Sequence, residues 1–287
     1  MKRFYPLVSE IAADGIAVAV SLRVLKLSHQ PYYRWRYQQV TSSELTEAYR
    51  ANALRDAHVD DPEYGYRLLA GEVMCERTAW RICRDNQWWP AFGKKRGKDG
   101  KRPGPPVHDD LVKRDFSADD VDELWLTDIT EDWTDEEKLY LCAIKDVFSG
   151  WIVGYSISDR MESRLAVNVL DNAASHRGDV VGCIVHSDRE SQFRSRKFVH
   201  ALNRHHLIGT MEQVGAAGDN AAMESFLALL QKSVLDRKRW WARDKLRIAI
   251  VTWIERKYHR RRRRTRLGRL TPMEYETIMN AAVSLPA

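Results

Sequence analysis

Residues 124–158 read LWLTDITEDWTDEEKLYLCAIKDVFSGWIVGYSIS, and this stretch decides the fold class. Three runs rich in apolar, β-branched and aromatic residues have the texture of strands: LWLTDIT at 124–130, KLYLCAIKDVF at 138–148 and WIVGYSIS at 151–158. The acidic patch Glu131 to Glu137 separates the first two and Ser149-Gly150 the last two, so the spacing predicts an antiparallel three-strand meander. Downstream, SRLAVNVLDNAAS at 163–175 has a helical period, and VVGCIVH at 180–186 reads as a short buried strand at which the sheet becomes mixed. A helix near 195–206, a strand near 207–213 and a helix from Asn220 to Val234 complete a β-β-β-α-β-α-β-α order. That is the order of an α/β, RNase H-like domain, predicted over 115–236.

On the amino-terminal side the texture is helical. AVAVSLRVLKLSHQPYYRWR, residues 17–36, breaks at Leu27-Ser28 and resumes with Ser28 as N-cap, which is helix-turn-helix spacing. The second helix would present Tyr32, Tyr33, Arg34, Trp35 and Arg36, an aromatic and basic set suited to a DNA backbone, although a plain helical hairpin has the same spacing. A further helical block runs from Ser43 to Asp85, so residues 1–92 form one helical region. GKKRGKDGKRPGPP, residues 93–106, forbids regular structure and keeps its like charges solvated, so 93–114 reads as a basic linker. Beyond the core, 237–287 carries a helix near 241–260, with Leu246, Ile250, Trp253 and Ile254 on one stripe that packs on the core. Residues 256–269 hold nine Lys or Arg, including Arg260, Arg261, Arg262, Arg263 and Arg264 in succession, a density that points to backbone phosphates.

Composition sets wide limits. Apolar residues at 44% and charged residues at 30% describe a folded globular chain, and 46 Lys and Arg against 40 Asp and Glu matter only through their clustering. Cys75, Cys83, Cys142 and Cys183 form no CxxC pair, which argues against zinc and disulfide frameworks. No apolar run approaches the roughly 20 residues that span a bilayer, and Pro6, Ser9, Glu10 and Asp14 interrupt any secretory signal, so the expected location is the cytoplasm.

The chemistry is carried by three carboxylates. Asp128 lies inside the first strand beside Trp125, Leu126 and Ile129, where an unpaired carboxylate would suffer a large desolvation cost and calls for a cation. Asp188 follows the buried strand at its carboxyl end, where open α/β sheets place ligand-binding groups. Glu224 sits one turn into the helix that begins near Asn220, with 35 residues between it and Asp188. Two strand ends and a facing helix can converge as hard oxygen donors for two magnesium or manganese ions, which drive in-line phosphoryl displacement without a side-chain nucleophile.

LWLTDIT, HSDRESQF and GDNAAMESFLALLQK resemble the three catalytic segments of the DDE transposases of the IS-three family, kin to retroviral integrases. VKRDFSADDVDE, DVFSGWIVGYSISDRM and TWIERKYHRRRRRTRLGRLTPMEYE extend the likeness over about 108–278, with a looser match in the helical amino-terminal third. The resemblance implies an integrase-like catalytic core in which Asp128, Asp188 and Glu224 hold the metal ions. It implies DNA cleavage followed by attack of the released 3′-hydroxyl, fusion to or association with a smaller upstream-frame subunit, and a homo-multimer on DNA in the bacterial nucleoid. Three places depart from the family's text: Glu190 stands where Gly is usual, Gln231 stands where a basic residue often is, with Lys232 beside it as a candidate DNA contact, and the YGYR block at 64–67 is shorter than usual before its second helix. Those departures leave open a catalytically impaired DNA-binding remnant, and an RNase H-type nuclease is the other alternative.

Overall fold

The computed structural model describes residues 4–62, 64–71, 74–90, 105–212 and 220–283. The chain divides into two compact units, 1–90 and 91–287.

The first unit is helical: α1 (Tyr5–Ala13), α2 (Val18–Val24), α3 (His29–Tyr37), α4 (Ser42–Asp60), α5 (Tyr66–Ala70) and α6 (Glu76–Asp85). Tyr5, Val8, Leu22 and Tyr32 are buried together between α1, α2 and α3, and Trp35 packs against them. The ring of Tyr5 meets Tyr32 edge to face at 5.8 Å and Trp35 at 5.6 Å. Tyr32 and Trp35 therefore belong to the core of this helix set, packed with Leu22 and Val18 of α2. Arg34 and Arg36 stay exposed, with Tyr33 and Tyr37. Ser28 occupies the N-cap position with extended backbone, but its side chain makes no capping bond. A second cluster, Leu54, Tyr64, Leu69, Ala79, Ile82 and Cys83, joins α4 to α6. The start of α4 is fixed by a reciprocal capping box between Thr41 and Glu44.

The second unit is built on a five-stranded mixed sheet in the order β3-β2-β1-β4-β5, with β1 (Leu124–Thr134), β2 (Glu137–Asp146), β3 (Ile152–Ser158), β4 (Ile184–Ser187) and β5 (Ile208–Met211). β1, β2 and β3 pair antiparallel, while β4 joins β1 and β5 joins β4 in parallel. The helices are α7 (Ser163–Arg177), α8 (Arg196–Arg204), α9 (Ala221–Ser233), α10 (Arg243–Thr252) and α11 (Pro272–Val283). Alternation along the strands gives each face its own core. Trp125, Ile129, Cys142 and Ile144 meet α7 and α8 through Leu165, Val169, Phe198 and Ala201. Leu124, Leu126, Leu141 and Ala143 meet α9 and α10 through Met223, Phe226, Leu230 and Leu246. Gly154 lets α7 approach β3 closely, since a Cβ there would lie 2.7 Å from the carbonyl oxygen of Val169.

Three expectations change. The strand expected over 180–186 starts at Ile184, because Val180–Cys183 forms a turn with Gly182 at φ +82° and the Cys183 amide bonded to Val180. The helix expected over 241–260 is α10 followed by a π-helical turn, Trp253–Tyr258, which brings Trp253, Ile254 and Tyr258 onto the core together. The stretch read as a linker has two parts: 93–104 lies outside the described residues, whereas 105–114 runs along β5 and is not a free tether. The Leu111 amide donates to Thr210 Oγ1 at 2.9 Å, that hydroxyl donates to the Asp109 carbonyl, and Val112 is buried. Gly209 gives His108 its place, since a Cβ would sit 2.7 Å from the imidazole.

Candidate active site

Strand register brings the acidic residues together. β1 and β4 pair with Leu126 opposite His186, and β4 and β5 pair with His186 opposite Thr210 and Ser187 opposite Met211. Two steps further along this parallel register, Asp128 stands abreast of Asp188. One step past Met211, Glu212 stands abreast of Asp188 on the other side, and its amide still donates to the Ser187 carbonyl at 3.3 Å. Neighbouring strands are spaced by about 4.8 Å, so three carboxylates form a row across β1, β4 and β5. Asp128 pairs with Ala143 across the antiparallel ladder, and Ala143 belongs to the core under α9, so the Asp128 side chain shares the α9 face.

This row is electrostatically strained. Burial pushes the Asp128 carboxyl up to about 8, Asp188 beside it pushes the same way, and Glu190 and Glu212 add to it. The one opposing influence among the leading ones is the Ile129 amide, which donates to Asp128 Oδ1 at 2.7 Å. Asp188 Oδ1 in turn accepts from the Glu190 amide at 3.0 Å, which fixes the turn after β4. Glu224 is half-buried in the first turn of α9, and α9 packs on β1 through Met223 and Phe226. Asn220 occupies the N-cap position of that helix without a capping side-chain bond, and its Nδ2 donates instead to the carbonyl of Thr127, the residue before Asp128. Asp128 and Asp188 are thus adjacent, with Glu224 on the helix that covers their face. Among the described residues, no group of three or more His, Cys, Asp or Glu side chains closes to ligating geometry. The donor chemistry nonetheless fits a divalent cation: the groups are hard oxygens, and the leading influences on Asp128 leave it facing acids rather than a cation.

The residues read as DNA contacts divide. Lys232 and Arg260 are exposed. Arg263 donates to the Arg269 carbonyl and to Glu274, and the Arg264 guanidinium lies over the Tyr258 ring at 4.6 Å. Those two side chains therefore brace the turn that leads into α11. Arg266 does the same from the other end, donating to the Val147 carbonyl at 2.6 Å. Gln231, near the end of α9, donates to Asp236 in the turn that follows that helix. Sequence reasoning missed Glu212 and Lys145. The signal for Glu212 was its place directly after a short apolar strand, as for Asp188. Lys145 gave no signal beyond being a cation inside an apolar run.

An RNase H-like mixed sheet, with one acidic residue inside β1, another just past the carboxyl end of β4 and a third on the helix above them, defines a polynucleotidyl transferase of the integrase class. Residues 118–216 match the family model described as Integrase core domain. The chain is 36% identical over 270 residues to the transposase InsF for insertion sequence IS3A of Escherichia coli K12, covering 91% of this chain and 94% of the relative. It is 27% identical over 281 residues to the transposase InsK for the insertion sequence element IS150 of the same organism, which is described as putative, covering 96% of this chain and 95% of the relative. Among solved structures, a human T-lymphotropic virus 2 integrase catalytic core in complex with magnesium superposes with a TM-score of 0.39 at 18% identity, covering 54% of this chain and 95% of that one. The chain belongs to the IS3 family of insertion-sequence transposases and is a DDE transposase.

Proposed function

We propose that Asp128, Asp188 and Glu224 form the catalytic triad of this transposase and hold two divalent cations, magnesium or manganese, in a site that cuts the element's ends and joins them to target DNA. The observation that carries this reading is the alignment of Asp128 with Asp188 on adjacent parallel strands, with Asp128 pushed up to about 8 by burial and by its acidic neighbours. Asp128, Asp188 and Glu224 would hold the ions between them as hard oxygen donors. When bound, such ions activate the attacking oxygen and stabilise the leaving oxygen of an in-line phosphoryl displacement. The protein's own part is to fix the carboxylates on rigid strands, to exclude water with the α9 face, and to hold DNA in line.

For DNA we propose Arg34 and Arg36 on α3, Lys232 at the end of α9, and Arg260, Arg261 and Arg262 before the braced turn, with Arg263 and Arg264 acting mainly through the fold. The helical first unit would bind element ends as a helix-turn-helix region, joined through 93–104, while 237–287 completes the catalytic unit. Multimerisation on DNA and pairing with an upstream-frame subunit complete the proposal, with the bacterial cytoplasm and nucleoid as the setting. Among the described residues no helix is long and apolar enough to cross a membrane.

The test is strand transfer on pre-cleaved element ends by Asp128→Asn, Asp188→Asn and Glu224→Gln. Each is expected to lower the rate by about a thousandfold or more while DNA binding and thermal stability stay near those of the parent, because charge and not core volume is removed. A variant that keeps near-parental joining would remove that residue from the triad.

A further inference from the structure

Lys145 is out of place by every ordinary rule of packing. It lies one residue before the end of β2, is 3% exposed, and pairs with Leu126 on the face that carries Leu124, Ala143 and the apolar side of α9. Removing an ammonium from water costs several kcal/mol unless its partners are excellent. Among the described residues its hydrogen-bond partner is one backbone oxygen: Nζ donates to the Ala222 carbonyl at 2.6 Å. Ala222 is in the first turn of α9, the positive end of that helix dipole, where a cation is disfavoured. Burial above all, with Arg264 and Arg266 adding to it and Asp146 opposing, holds its ammonium well below the usual lysine range. A leucine would fill this position at lower cost.

What the lysine does have is leverage. Ala222 precedes Glu224 by two residues, about 3 Å of helix rise. On the other side of Ala221, Asn220 donates to the Thr127 carbonyl at 3.3 Å. The start of α9 is thereby held to the sheet at two points, one on β1 next to Asp128 and one on β2. Sliding or tilting of α9 would move the Glu224 carboxylate relative to Asp128, and displacement by about 1 Å is enough to cost on the order of 100-fold in a phosphoryl-transfer site.

We infer that Lys145 is a positioning residue, whose hydrogen bond to the Ala222 carbonyl sets the reach of Glu224 towards Asp128 and Asp188. The inference rests on the triad proposed above. It does not make Lys145 a catalytic residue, since the ammonium meets backbone and no reacting atom.

The experiment compares full-length parent, Lys145→Met, Lys145→Gln and Glu224→Gln. Hydrogen exchange of the amides in residues 221–227 is followed without metal, and strand transfer is followed against magnesium concentration and against DNA concentration. Lys145→Met should keep or raise the thermal midpoint, because an apolar side chain replaces a buried charge. It should also exchange about tenfold faster in the first turn of α9, need several times more magnesium for half-maximal rate, and lose about 100-fold in kcat with KM for DNA unchanged. Lys145→Gln, which keeps an N–H donor, should recover part of the exchange protection and part of the rate, and it carries the test if the methionine variant does not fold. Parental exchange and magnesium dependence in a folded Lys145→Met or Lys145→Gln protein, alongside an inactive Glu224→Gln, would reduce Lys145 to a core residue and leave the triad standing. Parental joining by Glu224→Gln would instead overturn the triad, and the lysine's role with it.

Discussion

Asn220 Nδ2 donates to the Thr127 carbonyl at 3.3 Å, linking the cap of the helix that bears Glu224 to the residue that precedes Asp128. The side chain is 5% exposed, and the two partners are 93 residues apart in the chain, so the bond is a tertiary tie between the carboxylate-bearing elements. Asn220→Ala removes the donor to Thr127, while no capping bond is lost, since the Asn220 side chain makes none to α9. It should lower stability by about 1 kcal/mol and joining by a larger factor than the lost folded fraction explains. Urea unfolding beside specific activity of the folded fraction reads both; a rate loss that vanishes after correction for folding would make the tie purely structural.

Arg177, at the end of α7, grips Glu276 of α11 with two N–H donors at 2.7 and 2.5 Å and lies 3.1 Å from Asp122 through Nε. The Nε approach is within ion-pair range although off the hydrogen-bond line, so Glu276 is the stronger partner. Arg177→Met strands two largely buried carboxylates and should cost about 3–5 kcal/mol at pH 8. The sign with pH follows from Asp122, which burial pushes up to about 6 from 3.8 despite the guanidinium. A raised carboxyl holds its proton longer folded than unfolded, so its charge penalises the fold as pH rises from about 4 to 6. Without Arg177 that penalty grows, and the gap between parent and variant should narrow at pH 5. An equal gap by urea unfolding at pH 5 and pH 8 would show that the ion pair is not what Arg177 contributes.

On α3, Arg34 and Arg36 project from a helix whose Tyr32 is fully buried. Neutralising either by substitution with Gln should weaken binding to any duplex and lower the slope of log affinity against log salt by about 1 each, as expected for one phosphate contact. The tyrosine core predicts that Tyr32→Ala acts differently, unfolding the helix set with a cost of about 3–5 kcal/mol. Unchanged salt slopes for Arg34→Gln and Arg36→Gln would move the DNA surface elsewhere in the first unit.

How much of this was legible depends on whether the deciding physics is local. Strands β1 to β3 could be read because apolar runs and turn residues alternate within a few positions, and Asp128 and Asp188 because each interrupts or ends such a run. Val180 and Val181 misled, since apolar content says nothing about the positive φ of Gly182 that keeps them in a turn. The arginine-rich segment was legible only as charge. Arg263 finds the Arg269 carbonyl and, beyond the run, Arg266 finds the Val147 carbonyl, partners that only the folded chain provides. Lys145 and Asn220 were illegible for the same reason: each is defined by a backbone oxygen 77 or 93 residues away.

Glu190 separates two physical effects that the sequence merges. Glycine is usual in the family at this turn, which suggests a backbone that only glycine adopts easily, and it also suggests that a charge is unwelcome next to Asp188. Glu190 lies outside the left-handed region, unlike His206 at φ +56°, and its amide makes an ordinary bond to Asp188 Oδ1 at 3.0 Å. Backbone strain is therefore removed as a cause. Charge remains, because Glu190 is among the groups that push Asp128 up, and an extra anion here would oppose an incoming phosphate or draw a cation off the proposed triad. Glu190→Gln and Glu190→Gly should accordingly behave alike, each raising strand transfer at limiting magnesium by about fivefold, the equivalent of roughly 1 kcal/mol. The difference from the parent should shrink as magnesium saturates. A gain with glycine but none with glutamine, measured on the same pre-cleaved ends, would return the effect to the backbone and contradict the geometry of this turn.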